Sequence, residues 1–110
     1  MYPSNAETYV NIAYTKQNEG LLEEAWKYFT NAQFIDPLCT TALEGRALIN
    51  SLMKNPFAAY LDISKAIEIN PKNAEFLTNR GVIYEDLDDN TSALQNYKVI
   101  YNLTLDCNKG

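Results

Sequence analysis

The chain contains no histidine. That removes the side chain that most often serves as a general base near neutral pH and as a metal ligand. Cysteine is nearly absent too, with Cys39 and Cys107 its two representatives, so no thiolate-rich zinc site can form. Four glycines are scattered rather than gathered, which excludes a glycine-rich phosphate loop. Cations are in deficit: nine Lys and Arg against 14 Asp and Glu leave a net charge of −5. No basic stripe exists to track a phosphate backbone or an anionic lipid surface. No apolar run approaches the roughly 18 residues of a membrane span. The start, Met1-Tyr2-Pro3-Ser4-Asn5, has neither the basic nor the apolar part of a secretion signal. These absences predict a protein that is not an enzyme, holds no cofactor or metal, and binds neither nucleic acid nor membrane. A cytoplasmic or cytoskeletal address is the default.

What the chain does have is a period. Ala25, Ala59 and Ala93 are each 34 residues apart, as are Pro37 and Pro71. The triplets Ala13, Ala47, Gly81 and Phe29, Ile63, Tyr97 keep the same register. Self-similarity at this spacing marks stacked helical repeats. The pattern of small, aromatic and proline positions resembles the tetratricopeptide repeat (TPR) family across about 100 residues. The resemblance implies an all-α chain: a single TPR domain over 1–110, with repeats at about 6–39, 40–73 and 74–107, forming a right-handed superhelix. Departures exist. Lys16 and Asn50 stand where the family has an aromatic, and Leu105 where it has proline.

Local signals place six helices at about 6–17, 22–35, 40–53, 56–69, 74–87 and 91–103. Gly20 supplies a left-handed turn residue. Pro37 and Pro71 stop the helices before them. Asn55, Asn73 and Asn90 are expected caps, each able to accept a bond from a free N–H of the first turn. The alanine and glycine triplets let paired helices cross closely, where larger side chains would overpack the contact. Cys39 and Cys107 lie two repeats apart. With helices packing about 8–10 Å apart, they are out of reach of the roughly 7 Å that a disulfide allows.

The sixth helix is expected to end near Leu103, leaving too little chain for a capping helix. Val99, Ile100, Tyr101 and Leu103 would then form an exposed end. Repeat stacks need a polar cap for solubility, so this end is expected to meet further repeats, a second copy or a partner.

In the family, one face of the first helix of each repeat lines an inner groove. The resemblance places Val10, Tyr14, Leu48, Leu52 and Val82 there as an apolar strip, edged by Glu44, Glu75, Asn79 and Glu85. Such a groove suits a helix or extended segment with apolar anchors and basic flanks; the alternative is an ordinary solvated face. Family members that grip a terminal carboxylate do so with lysine, asparagine and arginine at five positions. Those positions hold Val10, Tyr14, Gly45, Glu75 and Asn79 here, which argues against that activity. Arg46 and Arg80, at matching places, are expected in ion pairs with Glu44 or nearby acids. The acidic run around Asp88 lacks the alternating ligands of a calcium loop and reads as a helix-to-helix turn. The leading expectation is a non-catalytic protein-interaction module. The alternative is a structural or docking segment of a large assembly such as a ciliary axoneme, touching its neighbours through the exposed end.

Overall fold

A computed structural model describes residues 4–109, with side chains described over 5–105. The chain is all-α: α1 (Ser4–Asn18), α2 (Leu22–Ile35), α3 (Thr40–Leu52), α4 (Pro56–Ile69), α5 (Ala74–Asp86) and α6 (Asn90–Lys109). They form three helix-turn-helix pairs, α1 with α2, α3 with α4 and α5 with α6, and each pair packs on the next. The described residues include no strand. Among the described residues no helix is long and apolar enough to cross a membrane.

The turn inside each pair is made the same way. Gly20, Lys54 and Asp88 have positive φ of 81°, 65° and 60°, one per repeat. Glycine takes this conformation freely, whereas a Cβ there crowds the following carbonyl. Lys54→Gly is therefore expected to raise stability by roughly 0.5–1 kcal/mol. Urea unfolding would read this directly, and a lower midpoint would show that the lysine turn is unstrained.

The asparagine caps form as expected at α4 and α5. The Asn55 side chain accepts from the Ala58 N–H at 3.4 Å and Asn73 from Phe76 at 3.0 Å. At α6 the expectation is corrected. Asp89, not Asn90, accepts from the Ser92 N–H at 3.2 Å, and Asn90 is already helical. Once Asp88 has turned the chain, Asp89 is the first residue whose carboxylate faces the positive helix end. The sixth helix also runs on to Lys109. Leu105 replaces the family's proline, so nothing blocks the next helical turn.

The core forms two clusters that α3 joins. Phe29 and Ile49 sit in one with Val10, and Leu43, Ile63 and Phe76 in the other. Two glycines admit rings at helix crossings. A Cβ on Gly45 would run into the Phe29 ring, and one on Gly81 would come within 2.6 Å of Tyr97. The exposed-end expectation divides. Val99 and Tyr101 stay exposed, Tyr101 at 64%. Ile100 and Leu103 instead pack partly buried against the second cluster. Residues three apart share one helical face, and here that face turns inward. Cys39 is a free, partly buried thiol, while the Cys107 side chain lies outside the described residues.

Candidate functional site

α1, α3 and α5 are the first helices of the three repeats, a series in which α1 reaches α3. Along it Tyr14, Leu48, Leu52 and Val82 remain 39–49% exposed, more than their apolar character favours in a closed core. Glu44, Leu48, Asn79 and Val82 surround a notch of about 120 Å³ between α3 and α5. The Asn79 amide donates to Glu44 Oε2 at 3.0 Å. Glu75 lies against the same carboxyl. Burial first, then the Glu75 charge, push the Glu44 pKa up. Burial and the charges of Glu44 and Glu75 likewise raise that of the Tyr14 hydroxyl, whose ring meets Phe29 edge-on at 5.3 Å.

Two of the expected groove residues stand differently. Val10 is a correction: it is 5% exposed and belongs to the first core cluster. Residues of both α2 and α3 share that cluster with it. Glu85 is exposed but faces the Tyr97 hydroxyl on α6. Burial, then Glu85, hold that hydroxyl's pKa above its ordinary value.

On the outer side the structure contains a polar network that the sequence reading missed. Arg46 donates to both oxygens of Asp62, from Nε at 2.8 Å and Nη2 at 2.7 Å, and from Nη1 to Thr30 at 3.2 Å. The Asn50 amide also donates to Asp62, at 2.9 Å, and Asn50 Oδ1 accepts from the Trp26 indole at 3.0 Å. Arg46 is thus in an ion pair as expected, but with Asp62; Glu44 accepts from Asn79 instead. In the third repeat Arg80 donates to Asn96 at 2.8 Å, and Asn96 donates to the Leu77 carbonyl. Both arginines reach a partner 16 residues on. That shared spacing was the available signal: one arginine on the first helix of the repeat, one polar group on the second. Beside this network α2, α3 and α4 line an open cleft of about 560 Å³ that includes Trp26, Met53 and Leu61.

Comparison with known proteins gives one consistent answer. Two sequence profiles described as tetratricopeptide repeat match residues 6–37 and 63–95. Tetratricopeptide repeat protein 6 of Homo sapiens is 40% identical over 96 residues, covering 87% of this chain. The chain spans 18% of that relative's length. Among solved structures, the second TPR of Spaghetti (RPAP3), bound to the HSP90 peptide SRMEEVD, superposes with a TM-score of 0.86 at 19% identity. That match covers 92% of this chain and 94% of the other. MamA superposes with a TM-score of 0.90 at 18% identity, covering 97% of this chain and 58% of its own. At these identities the two structures speak for the fold.

Proposed function

The chain belongs to the tetratricopeptide repeat family, and from that premise we propose that it is a non-catalytic interaction module whose inner groove holds a polypeptide segment with apolar side chains and basic flanks. The observation that carries this reading is the placement of Glu44 and Glu75 side by side next to the half-exposed Leu48 and Val82. An apolar anchor fits the notch while a lysine or arginine neutralises the paired carboxyls. The acidic peptide SRMEEVD, which the Spaghetti (RPAP3) domains bind, would bring like charge to the same place.

Photo-crosslinking from Leu48 is the first test: a discrete partner captured there and lost on Leu48→Glu supports the groove. Glu75→Lys is expected to weaken that partner at least about tenfold, the effect of one lost charge pair in a partly desolvated site. Burial and Glu75 raise the Glu44 pKa in the free protein. At acidic pH a cationic ligand must therefore displace a proton, so affinity should rise as pH increases through that raised range. Affinity that is flat with pH would argue against contact with Glu44.

A second reading takes the chain as a structural segment of a larger assembly, docked through Val99 and Tyr101. Their exposure on α6 favours it. Capture from Tyr101 alone would support this reading, and a cytoplasmic or ciliary address accompanies it.

A further inference from the structure

The residues around the outer cleft between α2 and α4 have counterparts one repeat further on, and among the differences Asn50 stands where the next repeat has a tyrosine. At the junction of the second and third repeats, the Tyr84 ring lies against Tyr60 at 5.6 Å, with Arg80 over it at 5.7 Å. At the junction of the first and second repeats, Trp26 stands in the place of Tyr60 and Arg46 in the place of Arg80. Asn50 stands in the place of Tyr84. The aromatic and the arginine are both present, 5.9 Å apart. The second ring is not, and the cleft of about 560 Å³ opens beside them. That volume is within the range of small binding pockets.

We propose that this cleft is a receptor for an aromatic side chain of a partner polypeptide, a binding surface separate from the inner groove. The incoming ring would take the role that Tyr84 plays in the next repeat. It would stack on Trp26 and lie near the Arg46 guanidinium, with Met53 and Leu61 as apolar walls. Ring pairs and ring–cation pairs of this kind attract beyond simple area burial.

The floor sets the occupant's polarity. Both Asp62 oxygens are engaged by Arg46 and Asn50, and Asn50 Oδ1 by Trp26. The rim offers one charge of each sign from α2, Glu23 and Lys27. An uncharged ring therefore suits the cleft better than a carboxylate or an ammonium group. Phe57, 62% exposed, lies one turn before the exposed Leu61 on α4, so apolar surface continues past the cleft.

Trp26 is the sole tryptophan, so its indole N–H resonance reports on this site. The experiment titrates the intact chain with N-acetyl-L-tyrosinamide and, separately, with N-acetyl-L-leucinamide. The expected result is a saturable shift of the indole signal with the tyrosine probe, and binding about fivefold weaker with the leucine probe. Two variants should abolish the shift. Ala58→Phe fills the cleft from its partly exposed wall, and Asn50→Tyr supplies the chain's own ring as Tyr84 does. No saturable shift, equal binding of the two probes, or binding that survives both folded variants would each overturn the proposal.

Discussion

Asp62→Ala is expected to lower stability by about 3–5 kcal/mol, a large part of the roughly 5–15 kcal/mol that holds a domain folded. Asp62 is 8% exposed and accepts from Arg46 at two oxygens and from Asn50 at one. The Arg46 side chain is only 18% exposed, so removing the carboxylate leaves a cation with little water to replace it. Asn50 and, through it, the Trp26 indole lose their anchor in the same step. A buried pair need not be net stabilising even though breaking it is costly. The double replacement Arg46→Met with Asp62→Leu should therefore recover much of the loss. Urea unfolding of both single variants and the double measures this. A single-variant loss below about 1 kcal/mol would mean the pair behaves like an exposed one.

The second large effect centres on Phe29, which is fully buried between Tyr14 and the bare backbone of Gly45. Phe29→Ala removes a whole ring from a closed site and should cost about 3–5 kcal/mol. Gly45→Ala drives a methyl group into that ring and should cost about 1–3 kcal/mol. The two changes are opposite in volume, so the double variant should be less destabilised than the sum of the singles, by about 0.5 kcal/mol or more. Strict additivity in a thermal or urea double-mutant cycle would show that ring and glycine do not press on each other.

The fold was legible wherever a residue type carries a local geometric requirement. Gly20, Pro37, Pro71, Asn55 and Asn73 each act within a turn of chain, and the helices begin or end beside them. The period carried that information into places where the residue type is silent: Lys54 and Asp88 adopt the left-handed turn because Gly20's place in the repeat demands it. The candidate groove was legible in part. Leu48, Val82, Glu44 and Asn79 do converge, because one helical face repeats with the period. Val10 was misplaced, since its burial depends on how α2 and α3 pack around α1, a tertiary arrangement that no local pattern contains. The Trp26–Asn50–Asp62–Arg46 network was hidden for the same reason. It joins three helices, and Asn50 looks like a mere departure from the family until Trp26 and Asp62 are seen on either side of it.

Among the described residues, the extensive contacts run from each helix to the next in the chain, and α1 approaches α3 more lightly. Every loop that must close during folding is therefore short, and loop-closure entropy grows with length. Such low contact order places the chain among the fast folders, in the microsecond-to-millisecond range. It also means that heat or force can peel the structure helix by helix from either end without a topological barrier. Amide exchange should then be slowest around α3 and α4, where Asp62 and Arg46 clasp the middle of the stack, and should quicken toward α1 and α6.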